Sequence, residues 1–536
     1  MSQAGEVRMQ VKDLRVELIE SGIEILKGVS FELQAGHIFA LVGESGSGKS
    51  VTSLAAMRLL PEALEITGGS VQVNGKDLFG LSESRMQEVR GRRVAMIFQN
   101  AMSALNPVQT VGDQVAETLR LHTTLRGDPL RARVVQLFAE VGIPDPNSRF
   151  DFYPHQLSGG QQQRVMIAMA LACEPDVLIA DEPTTALDVT IQEQVLKLIR
   201  DLTHTRQLAV LLITHDMGVV RHTADEVAVM YRGEIIEQAA VDDFFHNPKQ
   251  EYSRRLIDAL PDLTRFQSKA VEEPLLQLTD VKVHFPIRRG VLQRIVDYTR
   301  AVDGVSLDIG RGETYALVGE SGSGKTTLGR AVLNLDTIAG GEIRFRGETI
   351  GALGRKQMLP YRKHIQVIFQ NPFSSMNPRM TVGDIIAEGM ISLGLRLTPA
   401  EREQRIDHLL ERVQLGPEFA HRYPHEFSGG QLQRIAIARA LAVEPQLIIC
   451  DEPTSALDVS IRAEVLDLLR ELQQEFGVSY LFITHDLSIV PSLAHHVGVM
   501  QAGKLVEQGS AEQILTAPQH PYTRALLASV PRVDSD

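Results

Sequence analysis

Cysteine is nearly absent: Cys173 and Cys450 are the two among 536 residues. Two thiols cannot build a disulfide framework, a zinc ribbon or an iron–sulfur cage, and their scarcity suits a reducing cytosol. Long apolar runs are also lacking. The longest resemble LAVLLI at 208–213, well short of the ~20 apolar residues of a spanning helix, so no membrane crossing is expected. The opening MSQAGEVRMQVKD has no apolar h-region, which predicts no secretory signal. Positive charge is in deficit, with 54 Lys and Arg against 67 Asp and Glu and a net charge of −13. That balance argues against a general polyanion binder and against broad adsorption to a membrane surface. What is present looks ordinary: 43% hydrophobic and 23% charged residues exclude wholesale disorder. By length alone the chain predicts three or four compact units.

Internal repetition revises that count. GESGSGKS at 43–50 returns as GESGSGKT at 319–326, and IFQN at 97–100 returns at 368–371. LSGGQQQR at 157–164 returns as FSGGQLQR at 427–434, DEPTTALD at 181–188 as DEPTSALD at 451–458, and ITHD at 213–216 at 483–486. The offset is 276 for the first pair (319 against 43) and 270 for the last three (427 against 157). A period this long means a duplicated large domain, not a solenoid. The polar, proline-bracketed stretch PDLTRFQSKAVEEP reads as a linker. The expected units are therefore 6–262 and 274–536, joined by a linker at 263–273.

Each half shows short β-rich runs (VSFEL at 29–33, HIFALV at 37–42), then a glycine turn and a helical pattern over 50–60. A helical middle section follows, leading to an amphipathic helix over 161–172 and apolar strands at 177–180 and 208–214. Strands alternating with helices predict an α/β fold with a parallel sheet. EVAVMYRGEIIEQ at 226–238 reads as an antiparallel pair turning at Arg232-Gly233.

The pattern G-x-x-x-x-G-K-[ST] is met twice, by Gly43, Gly48, Lys49, Ser50 and by Gly319, Gly324, Lys325, Thr326. Ser45 and Gly46, and Ser321 and Gly322, lie within these loops. Each follows an apolar strand and opens a helix, the context of a phosphate-binding P-loop. The glycines let backbone N–H groups converge on phosphates at a helix N-terminus. The lysine reaches the β and γ phosphates and the hydroxyl serves Mg2+. VLIADE and LIICDE end strands in acids. Asp181 and Asp451 are placed to hold the Mg2+ site, and Glu182 and Glu452 to act as general bases for an attacking water. A second glycine turn, Ser158-Gly159-Gly160-Gln161 and Ser428-Gly429-Gly430-Gln431, precedes a helix and forms a second anion-binding terminus. It lies 23 residues before the strand-end aspartate in both halves (181 against 158, 451 against 428).

Together these strings resemble the ATP-binding subunits of ABC transporters over almost the whole chain. The resemblance implies two tandem P-loop NTPase nucleotide-binding domains, each with a RecA-like α/β core, a β-subdomain and a helical subdomain. It implies ATP and Mg2+ as ligands and ATP hydrolysis as the reaction. Gln99 and Gln370 correspond to Q-loop residues, which sense the γ-phosphate and Mg2+ and couple to the membrane domain. Asp188 and Asp458 correspond to D-loop residues that join the two sites, and His215 and His485 to switch histidines that orient the water. In this family the domains pair head to tail. The resemblance thus assigns Lys49, Ser50, Asp181, Glu182 and His215 to one site with Ser428 and Gly430. It assigns Lys325, Thr326, Asp451, Glu452 and His485 to the other with Ser158 and Gly160. Two departures mark the first half. Val51 stands where the second half has Thr327, and no aromatic matches Tyr298, which either stacks on adenine or packs on an edge strand.

After each core comes a tail, HNPKQEYSRRLIDALP at 246–261 and TAPQHPYTRALLASVP at 516–531, with Tyr252 and Tyr522 at the same 270 offset. The HPYT string, and NPVQTVGDQ and NPRMTVGDI after the Q-loops, resemble the peptide and nickel importer branch. Two intact halves in one chain are most similar to the tandem ATPase of microcin C and oligopeptide importers, with glutathione or dipeptide/nickel importer ATPases as alternatives. Some relatives carry a cysteine-bound iron–sulfur cluster near the tail, where this chain has no cysteine. The resemblance implies two transmembrane permease subunits, an extracytoplasmic solute-binding protein and a peripheral place on the cytoplasmic face of the inner membrane. A tandem ABC ATPase acting on ribosomes is the alternative from another class, disfavoured by the short mixed linker, the acidic balance and the tails. The cluster Arg90, Arg92, Arg93 reads as a solvated face.

Overall fold

Two kinds of strand pattern occur in each half, and each builds its own sheet. The computed structural model describes residues 6–99, 104–184, 189–258, 266–267, 273–289, 294–455 and 457–528. In the first half β1 (Val7–Leu18) and β2 (Ile23–Gln34) pair as a hairpin, and β3 (Ile38–Val42) leads into α1 (Lys49–Ala56). Next come β4 (Leu64–Val73), β5 (Lys76–Asp77) and β6 (Val94–Ile97), then α2 (Val111–His122), α3 (Gly127–Glu140) and α4 (Gly159–Leu171). Last are β7 (Val177–Asp181), α5 (Val189–Arg206), β8 (Ala209–Ile213), β9 (Glu226–Tyr231), β10 (Glu234–Ala240) and α6 (Glu251–Asp258).

Strand β1 turns Met9, Val11, Leu14 and Val16 inward, and belongs to an antiparallel sheet of order β2-β1-β4-β5. Strands β3, β7 and β8 are buried along their whole length. Such continuous apolar runs suit a parallel sheet covered on both faces. They form the centre of a second sheet, β10-β9-β3-β8-β7-β6, in which β10 alone is antiparallel to its neighbour. One apolar core joins the two sheets through Val11, Phe31, Leu41, Ile179 and Leu211. Another gathers Val115, Phe138 and Ile167 from α2, α3 and α4. The parallel α/β sheet and the 226–238 antiparallel pair match the sequence expectation.

Helix α1 ends earlier than its 50–60 pattern suggested. Arg58 adopts a left-handed backbone with φ 52°, and Arg90 donates to the terminal carbonyls of Met57 (2.9 Å) and Arg58 (3.0 Å). Arg90 also pairs with Glu83 at 2.5 Å. It is a helix-end clamp, not part of a solvated face.

The second half repeats the plan with β11 (Pro274–Arg289), β12 (Arg294–Gly310), β13 (Thr314–Val318), α7 (Lys325–Val332), β14 (Gly340–Phe345), β15 (Glu348–Thr349) and β16 (Ile365–Ile368). It continues with α8 (Val382–Ser392), α9 (Pro399–Arg412), α10 (Gly429–Leu441), β17 (Leu447–Asp451), α11 (Val459–Phe476) and β18 (Ser479–Thr484). It closes with β19 (His496–Gln501), β20 (Lys504–Ser510) and α12 (Pro521–Ala528). Its sheets are β12-β11-β14-β15 and β16-β17-β18-β13-β19-β20. Strands β11 and β12 span 16 and 17 residues, against 12 each for β1 and β2.

The chain divides into two compact units between Leu260 and Pro261. Of the expected linker at 263–273, Phe266, Gln267 and Glu273 are described and the rest lies outside the described residues. Phe266 packs on the apolar cluster around Val497 and Leu526, and the Gln267 amide donates to the Ser492 carbonyl at 3.4 Å. Among the described residues no helix is long and apolar enough to cross a membrane.

Candidate nucleotide site

Register brings the predicted residues together. Ile213 of β8 lies opposite both Leu41 of β3 and Asp181 of β7. The loop after β3, the acids ending β7 and the histidine after β8 therefore share the carboxyl edge of the sheet, where open α/β sheets bind ligands. In the second half Ile483 stands opposite Leu317 and Asp451 in the same way.

The loop has the conformation its glycines imply. Gly43, Gly46 and Gly48 have φ 147°, 79° and 109°. At Gly43 a Cβ would collide with the Met230 carbonyl oxygen, so the turn tolerates no side chain there. Ser45, Gly46 and Ser50 are exposed at the rim while Lys49 is buried. The Lys49 ammonium donates to the carbonyls of Gly43 (2.7 Å) and Glu44 (2.8 Å). Lys325 does the same with Gly319 (2.7 Å) and Glu320 (2.8 Å). Exposed Ser321 and Gly322 repeat the rim, and Gly324 has φ 103°.

The acids sit beside these loops. The Ser50 hydroxyl donates to Asp181 at 3.2 Å, and Thr326 to Asp451 at 2.8 Å. Burial pushes the Asp181 carboxyl up to about 6, against the opposing hydrogen bond from Ser50. Burial raises Asp451 too. Glu182 and Glu452 have left-handed backbones, with φ 48° and 47°, each tied by its N–H to the Ile213 or Ile483 carbonyl at 2.9 and 3.0 Å. That bend takes the glutamate off the strand. Gln99 then donates to one Glu182 oxygen at 2.7 Å while His215 Nδ1 meets the other at 3.1 Å. Gln370 and His485 bracket Glu452 at 2.9 and 3.2 Å. Burial opposes a charge on His485, but the hydrogen bond and charge of Glu452 outweigh it and raise the ring above its ordinary value. Glu452 is likewise held below the usual carboxylate range, despite burial, chiefly by His485.

The donor set suits Mg2+. Each half offers a hydroxyl and a carboxylate already in contact, and the next residue after the carboxylate, Glu182 or Glu452, accepts from the Gln99 or Gln370 amide. Hydroxyl and carboxylate are hard oxygens, the ligands this ion takes together with substrate phosphates.

Ser158 and Ser428 cap α4 and α10, and each exchanges hydrogen bonds with Gln161 or Gln431 three residues on, a capping box. Gly159 and Gly429 face open space, whereas a Cβ on Gly160 or Gly430 would lie 2.6 Å from Ile191 or Ile461 Cγ2. Asp458 precedes α11 as its N-cap residue, and Asp188 lies outside the described residues. Tyr298 is half exposed on edge strand β12, opposite Pro286. Val51 packs on the apolar core, and Thr327 is half-buried.

Two residues escaped the motif reading. The hydroxyl of Tyr252 accepts the Glu44 N–H, and that of Tyr522 the Glu320 N–H, both at 3.1 Å. The signal was the shared 270 offset, but spacing does not reveal contact across 208 residues.

The family model described as ABC transporter matches residues 26–185 and 302–455. That described as Oligopeptide/dipeptide transporter, C-terminal region, matches 236–280 and 506–536. The chain is 47% identical to the Peptidoglycan transport ATP-binding protein YejF of Agrobacterium fabrum, over 98% of its own length and 97% of that relative. It is 48% identical to the Glutathione import ATP-binding protein GsiA of Escherichia coli O157:H7, over 98% of its own length and 90% of the relative. The solved structure of cbiO1 from Clostridium perfringens superposes with a TM-score of 0.40 at 30% identity, covering 46% of this chain and 92% of that one.

Proposed function

The chain belongs to the ABC transporter family as an ATP-hydrolysing ATP-binding protein, and from that premise we propose that it is the motor of an importer for peptide-like solutes. The reading rests above all on the paired glutamates, each held between a glutamine and a histidine beside a buried lysine loop.

In this reading Lys49 and Lys325 meet the phosphates together with the N-termini of α1 and α7. Mg2+, held by Ser50 with Asp181 and by Thr326 with Asp451, supplies charge neutralisation on the β and γ oxygens. Gln99 and Gln370 border that set. Glu182 and Glu452 accept the proton of the attacking water. The histidine on the opposite carboxylate oxygen fixes the direction in which each glutamate presents itself. Ser158 and Ser428, with the N–H groups of Gly159–Gln161 and Gly429–Gln431, supply the second anion-binding terminus. We take it to serve the nucleotide of the other half, as the family resemblance implies, with Asp188 and Asp458 joining the two sites. Tyr298 is the adenine-stacking candidate.

The tails place the chain with peptide importers. We take the substrate class to be oligopeptides, those of the microcin C type among them. Glutathione fits equally, given the names and identities of the two relatives. Partners are two membrane permeases fed by an extracytoplasmic binding protein, with this chain peripheral on the cytoplasmic face. The test is co-purification with the permeases, followed by uptake of labelled oligopeptide or glutathione into vesicles. Uptake should require ATP and fall sharply in Glu182→Gln and in Glu452→Gln made separately. Recovery with ribosomes instead would overturn the importer, and full turnover in either variant would remove that site from the mechanism.

A further inference from the structure

The tails are more than a surface covering. In each half three independent contacts bear on the outer limb of the phosphate loop. The main chain of Met230 or Met500 packs against Gly43 or Gly319. The Gly233 or Gly503 N–H donates to the Ser47 or Ser323 carbonyl at 3.0 and 2.9 Å. The tail tyrosine accepts the Glu44 or Glu320 N–H at 3.1 Å. The same residues' carbonyls hold the lysine ammonium at 2.8 Å. Each tyrosine hydroxyl is thus two hydrogen bonds from a phosphate-binding lysine, one on either side of the Glu44 or Glu320 residue.

The tyrosine is itself firmly placed. Glu237 of β10 accepts the N–H groups of Lys249 (2.8 Å) and Gln250 (3.0 Å) just before α6. Glu507 of β20 accepts those of Gln519 (2.7 Å) and His520 (3.1 Å) before α12. In the second half His520 also accepts the Tyr522 N–H at 3.2 Å, whereas in the first half Gln250 takes the place of His520. The first half instead sets the Tyr252 ring 4.5 Å from that of Tyr231. The local supports differ while the hydroxyl-to-loop bond is the same.

We propose that Tyr252 and Tyr522 are positioning residues of the two nucleotide sites: through the Glu44 and Glu320 peptides they set the loop geometry in which Lys49 and Lys325 bind phosphate. The inference rests on the reading of those lysines as phosphate ligands. A hydroxyl adds about one neutral hydrogen bond, so its loss weakens nucleotide binding about fivefold per site. The bond lies in the loop, away from the water-activating glutamate, so the effect falls on binding and not on the chemical step.

The experiment uses the full chain with Tyr252→Phe, Tyr522→Phe and the double variant, which keep the ring and its packing. Arg254→Ala with Arg524→Ala is the control, because among the described residues these guanidiniums bond the tail's own turns, Arg254 to the Pro248 and Lys249 carbonyls at 3.1 and 3.3 Å and Arg524 to the Pro518 carbonyl at 3.0 Å. Binding of a fluorescent ATP analogue, KM, kcat and Tm are measured for each. The double Phe variant is expected to raise Kd and KM about fivefold, with kcat held within twofold and Tm lowered by no more than about 4 °C. The Arg control is expected to lower Tm without moving Kd. Unchanged Kd in the Phe variants overturns the inference, as does a KM rise matched by the Arg control, which would reduce the tail to a stabilising element. Lys49→Ala with Lys325→Ala tests the underlying reading separately: if that variant binds the analogue normally, the site assignment fails and not the tyrosine link alone.

Discussion

The two glycines of each SGG turn look alike in sequence but should behave as opposites when given a methyl group. On Gly160 a Cβ would lie 2.6 Å from Ile191 Cγ2. That carbon cannot swing aside, because a β-branched side chain on a helix has essentially one χ1 rotamer and Ile191 packs on the apolar core of the helical lobe. Gly160→Ala therefore forces α4 and α5 apart, an overpacking cost of about 1–3 kcal/mol. On Gly159 the same methyl meets nothing within 4 Å, and the backbone there is helical. Gly159→Ala should be neutral or stabilising by about 0.4–1 kcal/mol through the unfolded state. Heat unfolding of the full chain should show the first-half transition falling about 2–10 °C for Gly160→Ala and holding or rising slightly for Gly159→Ala. ATPase assays on the folded variants complete the test. Any activity lost in Gly159→Ala is lost at the open helix terminus, not through the fold. Equal destabilisation by the two substitutions, or none by Gly160→Ala, would refute the packing argument. Gly429 and Gly430, with Ile461, give an internal repeat of the experiment.

Two further outcomes are expected. Burial works against the charge on Glu237, but the hydrogen bonds it accepts, including those of the Lys249 and Gln250 amides, hold its pKa below the ordinary value. A depressed carboxylate stabilises fully above its unfolded pKa of about 4.3 and loses that contribution as pH falls through the lower folded value. Tail protection in hydrogen exchange should thus persist at pH 5 and be lost only below about pH 4, while Glu237→Gln should expose the tail at neutral pH. Saturating ATP analogue with Mg2+ should raise stability by about 2.7 kcal/mol at a hundredfold excess over Kd. Chelation should remove most of the gain in both halves and Lys49→Ala most of the first-half gain in a thermal shift assay; a shift that survives chelation would count against Ser50 with Asp181 and Thr326 with Asp451 as the Mg2+ pairs.

What the linear string determined is everything carried by local pattern. Duplication is visible in repeated strings, and the parallel sheet in the unbroken apolar runs of β3, β7 and β8. The glycine loop is legible because only glycine accepts the backbone that Gly43 and Gly48 adopt. The strand-end acids and the distal histidines are legible because their spacing repeats. What only the folded chain decided is which of these groups touch. Glu182 reaches Gln99 and His215 because its left-handed backbone turns it off β7, a conformation no motif encodes. Helix α1 stops at Ala56, where Arg58 turns left-handed and Arg90, 33 residues on from Met57, takes the Met57 carbonyl. Tyr252 joins the loop from 208 residues away. Such bonds depend on sheet order and on how the tail folds back against β10. Spacing along a chain sets propensity and period, whereas hydrogen bonds form between groups that tertiary packing alone makes neighbours.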